Sequence, residues 1–239
     1  MKIIALLFLA SFSFAACDPA DFSRVVGDVL GEDQQPTTLE IGKGLKEALE
    51  IGISEGAERL SATDGYYKSV YKILLPDEAR SVVNKLSGLP GFGDLEDNLI
   101  LKINRAAEDA AKSAKPIFVD AIRGMTFQDA RDILMGADNA ATSYLHDKTN
   151  QQLYNAFKPV IIESLNKHGV LDLWSSAMKS YNKIPFVKKV NPDMADHITN
   201  KSLDGLFGMV EKEERAIRKD PVKRASDLLK KVFALQDKK

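Results

Sequence analysis

Asn104, Arg105 and Glu108 stand together in "KINRAAEDAAK", among Ile103, Ala106, Ala107, Ala110 and Ala111. On a helix, residues four apart lie one above the other, so Asn104 and Glu108 share a face. Polar groups on a tightly packing alanine-rich helix are often buried, and buried polar groups need hydrogen-bond partners. The trio therefore reads first as a core network, with Glu108 accepting from Arg105 or from a neighbouring helix end. Opened to solvent, the same groups would form a small anion-binding or ligand-orienting cleft on Arg105, with Glu108 available for acid–base work. Asn104, Arg105 and Glu108 are the candidate ligand-binding residues, and no catalytic residue is assigned.

Other chemistry is sparse. His146, His168 and His197 are far apart in the chain, with no HExxH and no i, i+4 pair. A metal site would require them to converge with carboxylates in the fold, and no metal or cofactor is expected. There is no GxSxG elbow and no P-loop. "GLPGFG" (88–93) follows no strand and reads as a loop between helices rather than a phosphate cradle.

The single cysteine, Cys17, lies in "SFSFAACDPADF" directly behind an apolar block from Ile3 to Phe14. Twelve helical residues reach about 18 Å, short of the ~30 Å hydrocarbon core, so the block does not read as a span. A basic start, a short apolar stretch and small residues read as an export signal over residues 1–16. "Phe14-Ala15-Ala16-Cys17" resembles the bacterial lipobox, with Phe14 where leucine is usual. Cleavage before Cys17 would leave a lipidated N-terminus and a membrane partner through that lipid. Cleavage after Ala15 would leave a free thiol on a secreted or soluble periplasmic protein, exposed to intermolecular disulfides.

Behind Cys17, Phe22, Val25, Val26, Val29 and Leu30 form one apolar face of a short helix, followed by a linker through residue 36. That helix is expected to dock on the domain, because three aspartates against one arginine suit an anionic bilayer poorly.

The remainder, 37–236, has repeated helix start and stop signals and no sustained period-two alternation. "TTLE" at Thr37–Glu40 is a capping box, and Thr126 with Asp129 nearly repeats it. The expected fold is all-α, a single compact domain of about nine or ten helices with no sheet. The expected spans are 38–60, 66–73, 77–87, 95–123, 127–135, 139–147, 150–168, 171–182, 192–219 and 221–234. Asn191 and Asp220, each followed by proline, are expected caps, and Pro116 and Pro159 should kink or divide their helices. Gly52 and Gly56 each cost roughly 1 kcal/mol in a helix interior and suggest close approach of a neighbouring helix.

Composition excludes some partners. Removing Lys2 with the signal takes the net charge from -1 to -2, and the basic excess of residues 211–239 lacks aromatic interleaving, so nucleic acid is not an expected partner. Glu211–Arg215 and Glu214–Arg218 pair at i, i+4 and read as a solvated helix face. The leading function is non-catalytic binding or scaffolding at a membrane surface of the cell envelope. One alternative is a carrier holding an apolar ligand in a void lined by Phe118, Phe127, Tyr144, Leu153 and Phe157. The other is an enzyme using a polar cleft around Arg105 and Glu108.

Three stretches, 44–76, 101–145 and 201–233, closely resemble a bacterial family known as domain of unknown function 4197. The resemblance covers about residues 40–234. It implies an exported helical single-domain protein, often with a lipoprotein-like start, and it brings no activity, cofactor or catalytic residue.

Overall fold

The computed structural model describes residues 35–237, except 78, 81–82, 84–93, 168, 184, 187–188 and 190–192. Cys17, the short helix expected behind it, "GLPGFG", His168 and most of the 77–87 span lie outside the described residues. The regular structure among the described residues is helical, with no strand. None of their helices is long and apolar enough to cross a membrane.

The helices are α1 (Thr38–Ser61), α2 (Leu95–Ala111), α3 (Ala114–Arg123), α4 (Phe127–Met135), α5 (Ala140–Asn166), α6 (Val170–Tyr181), α7 (Met194–Lys219) and α8 (Asp227–Asp237). A 3-10 turn, Pro221–Lys223, separates the last two. Local signals start several of them. Thr37 and Thr126 each accept from the backbone N–H three residues on, and Glu40 and Asp129 return the bond to the capping residue's own N–H. Asp220 caps the 3-10 turn by accepting from Val222 N–H. The cap of α7 is Asp193, which accepts from Asp196 N–H, and not Asn191.

Five expected spans require correction. Residues 66–73 form turns, because their backbone is held by side chains of α2, as shown below. The 95–123 span divides at Lys112–Ser113. Pro116 becomes the third residue of α3, where an N–H has no helical partner to lose. The 139–147 and 150–168 spans merge into α5, where the Thr149 hydroxyl donates to Leu145 C=O at 2.6 Å within the helix. That helix runs unbroken through Pro159. Asn155, whose carbonyl loses a donor, and Pro159 are both exposed, which leaves the orphaned carbonyl open to water. The final span is the 3-10 turn followed by α8.

Helices α1, α7, α5 and α2 pack in sequence around the core, and α3, α4 and α8 cover α1. Ala106, Ala107, Ala110 and Ala111 are buried on α2, which brings its backbone close to its neighbours. Phe118 and Phe207 meet edge to face at 5.7 Å. Gly52 faces Ile217 and Gly56 faces Met209, so both glycines are seats for side chains of α7.

Two ion pairs fasten α8. Lys231 Nζ lies 2.8 Å from Glu40 on α1, and Asp237 takes a bidentate contact from Arg224, whose Nε and Nη2 also donate to the carbonyls of Ile217 and Arg218 at the end of α7. The hydrogen bond from Lys231, helped by those from Thr37, lowers Glu40 from near 4.5 to about 2. The Arg224 contact lowers Asp237 as well. Carboxylates depressed in the folded state stabilise it at neutral pH and lose that contribution as pH falls. Acidification from about 4.5 toward 2 should therefore free α8 before the core opens. Hydrogen exchange at Leu229 to Phe233 against pH is the measurement, with protection falling first in α8.

Candidate functional site

Leaving α1, the chain turns at Asp64, whose φ of 69° is left-handed, a conformation aspartate tolerates better than most residues. Gly65 then passes so near the carbonyls of Arg59 and Leu60 that any Cβ would collide with backbone. The strap that follows, 62–76, crosses α2 and α7 without regular structure. It is here that α2 places the three candidate residues.

Asn104 is fully buried, and each polar atom of its amide is used. Its Oδ1 accepts from Ile73 N–H at 2.8 Å, while Nδ2 donates to the carbonyls of Ile73 at 2.8 Å and Ile100 at 2.7 Å. One side chain thus satisfies both backbone groups of a buried strap residue, as a paired strand would. Glu108 acts a turn later. Its Oε1 accepts from Tyr66 and Tyr67 N–H at 3.1 and 3.2 Å, and its Oε2 accepts from Arg105 Nη1 at 2.6 Å. Arg105 continues through Nη2 to Asp64 at 2.6 Å, and Asp64 also pairs with Lys68 at 2.8 Å.

The electrostatics follow these contacts. The Lys68 hydrogen bond, with that from Arg105, lowers Asp64, and bonds to Glu108 and Asp64 hold Arg105 all the more firmly protonated. Burial, with the Glu108 charge nearby, pushes the Tyr66 phenol up, so it remains a donor, to Ser202 C=O at 2.7 Å. The rings of Tyr66 and Tyr71 lie against Gly205 and Gly208 of α7. A side chain at either glycine would lift the strap from its seat.

The structure therefore brings all three candidate residues together and shows where their bonding capacity goes. Asn104 and Glu108 are spent on the chain itself; the Glu108 side chain is 4 % exposed and that of Arg105 36 %. Arg105 presents its outer edge beside the Tyr67 ring, 5.7 Å away. Chemically the arrangement is a clamp, holding an irregular segment against two helices by backbone contacts.

Outside the clamp lie two open grooves of about 450 Å³ each. The first runs between the strap and α7, with Lys72, Leu74, Arg80, His197 and Lys201 among its walls. The second, between α5 and α7, includes His146, Asn150, Asn200 and Glu211. The two described histidines do not converge: His146 rests on Phe207 at 4.8 Å, and His197 Nε2 meets Leu74 C=O at 3.3 Å. Among the described residues no three His, Cys, Asp or Glu side chains group as metal ligands. The aromatic set is divided too. Phe118, Leu153 and Phe157 are fully buried in the core, whereas Phe127 is exposed against Gly42 and Tyr144 is half-buried.

A second polar centre was misread from sequence. Glu214 and Arg218 are buried rather than solvated, with side chains only 5 % and 4 % exposed, although Glu211–Arg215 stays outside. Glu214 accepts from the N–H groups of Ala141 and Thr142 at 3.0 and 2.8 Å, capping α5. Arg218 donates to the carbonyls of Ile133 and Leu134 at 2.9 and 3.1 Å, closing α4. The signal was available: Leu203, Leu206, Phe207, Val210 and Ile217 form the buried stripe of α7, and Glu214 falls within it.

No curated protein and no solved structure matches this chain. A family model does match, over residues 35–234, which takes in α1 to α7, the strap, both polar centres and most of α8. The chain belongs to the family described as protein of unknown function DUF4197.

Proposed function

We propose that the protein is a lipid-anchored component of the bacterial cell envelope whose helical domain binds or scaffolds a partner without catalysing a reaction. The commitment of Asn104 and Glu108 to the strap supports binding over catalysis, because acid–base work by Glu108 would have to break the bonds that hold Tyr66 and Tyr67 in place. What the domain offers outward is the groove between strap and α7, edged by exposed Val70 and Leu74. The anchor reading rests on Cys17 behind Ala15 and Ala16 and a short apolar block. Two or more acyl chains hold a protein stably on a bilayer where one does so marginally.

The test is expression in a bacterium competent for lipoprotein processing. The product should partition with membranes and into detergent, its intact mass should carry acyl chains on a chain beginning at Cys17, and Cys17→Ser should accumulate as unprocessed precursor. A soluble product beginning at Ala16 with an unmodified thiol would end the anchor reading.

A further inference from the structure

Helices α5 and α7 are stitched to each other at both ends of their contact. At one end Glu214 accepts from Ala141 and Thr142 N–H. At the other the Tyr154 hydroxyl donates to Asp196, and Lys158 Nζ lies 2.8 Å from Asp193. Between these stitches lies the groove of about 450 Å³ that His146 and Asn150 line from α5, and Asn200, Asp204, Phe207 and Glu211 from α7. Spacings of three and four residues put each set on one face of its helix.

The polar groups of this groove keep bonding capacity to spare. Asn150 is half-buried, and among the described residues its amide has no hydrogen-bond partner. Asn200 donates through Nδ2 to Asp196 C=O at 2.9 Å, which leaves its Oδ1 open. Asp204 and Glu211 each meet one cation through a single oxygen, Lys201 at 2.9 Å and Arg215 at 2.5 Å. The contrast with Asn104, whose amide is fully used by the strap, is direct. Open donors and acceptors on facing walls of a concave site are what a polar ligand requires.

Charge and apolar surface narrow the ligand. Among the described residues the lining has two carboxylates and no lysine or arginine, which disfavours an anion. Each carboxylate already has a cation on its own helix, so an ammonium ligand gains little. Leu203 and Phe207 are 3 % and 7 % exposed, too little surface to hold an acyl chain. A neutral ligand dense in hydroxyls fits what remains. Its O–H groups donate to carboxylate and amide oxygens, and its oxygens accept from Asn150 Nδ2. A sugar ring has this chemistry, and the His146 ring, seated on Phe207 at 4.8 Å, offers carbon surface to its C–H face.

We infer that the groove between α5 and α7 is a saccharide-binding site, with Asn150 and Glu211 as contacts from its two walls. The site adds a ligand to the binding role proposed above and depends neither on acylation of Cys17 nor on the strap groove. Among the described residues only Asp204 lines both grooves, so Asn150 and Glu211 test this one alone.

The test titrates the isotope-labelled mature chain, from residue 17 and carrying Cys17→Ser, with N-acetylglucosamine, chitotriose and maltotriose while amide shifts are followed by NMR. Saturable shifts are expected at residues 146–150 and 200–211, with a dissociation constant of about 10 mM or tighter for at least one sugar. Asn150→Ala should weaken binding by about fivefold or more, and Glu211→Gln by about threefold or more. Circular dichroism and melting should match the parent, since the Asn150 amide bonds nothing described in the protein and the Glu211–Arg215 pair is at the surface. Chitotriose binding more tightly than its monomer would assign a glycan chain, and equal affinity a single sugar. No saturable shift with any of the sugars, shifts centred on the strap instead, or either variant binding as the parent does would overturn the inference. The mass of the native Cys17 protein reads lipidation separately, so either conclusion can fail alone.

Discussion

Arg218→Ala should destabilise the domain by about 3–5 kcal/mol, the usual cost of removing one partner from a buried ion pair. For a domain of this size that lowers the melting temperature by roughly 10 °C or more. The guanidinium donates to Glu214 Oε1 at 3.0 and 2.8 Å and to two carbonyls at the end of α4. Without it, Glu214 keeps its backbone N–H donors on α5 but becomes an uncompensated buried charge, and the carbonyls of Ile133 and Leu134 lose a donor. Glu214→Leu combined with Arg218→Met should cost less than the two single changes summed, because the double variant leaves no lone charge. Denaturant unfolding of the parent, Arg218→Ala, the two single variants of the cycle and the double variant measures this. A loss under about 1 kcal/mol for Arg218→Ala would mean water reaches the pair and that its burial is not what fastens α4, α5 and α7 together.

Asn104→Leu should cost about 2–5 kcal/mol, although leucine nearly matches asparagine in shape and suits an apolar site. The cost comes from the strap. Ile73 is buried, and both its N–H and its C=O depend on this one amide. Either they remain buried and unpaired, or the strap lifts and exposes Ile73 and Leu75 to recover water. The second route is local, so hydrogen exchange should accelerate at Ile73 and through 66–75 more than in α5 or α7. Glu108→Gln should loosen Tyr66 and Tyr67 in the same manner, with Arg105 left to Asp64 as its ionic partner. An unchanged melting temperature together with slow exchange at Ile73 in Asn104→Leu would show that the strap is held by its tyrosines alone.

Elements whose signals are local were legible in the chain. The capping boxes at Thr37 and Thr126 began helices where expected, since cap and helix are made by residues three apart. The all-α class followed from hydrophobic spacing, which needs no partner to be read. Gly52 and Gly56 announced a close neighbour, though only the fold shows that it is α7. Membership of the family covers the same region.

What local signals could not decide is where a polar side chain spends its hydrogen bonds. The pattern around Asn104, Arg105 and Glu108 favours a core network but leaves a cleft open, because both place polar groups on an alanine-rich helix. Tertiary structure brings Tyr66, Tyr67 and Ile73, some 31 to 42 residues earlier, against that face. The strap was mistaken for a helix for the same reason. Its own residues have helical spacing, but bonds from Glu108 and Asn104 take up backbone groups that a helix would need. Glu214 and Arg218 repeat the point: an i, i+4 charge pair is the same in water and in the core until α4 and α5 close over it. Hydrogen-bond demand is a property of each residue, whereas its satisfaction over long sequence separation is a property of the assembled fold.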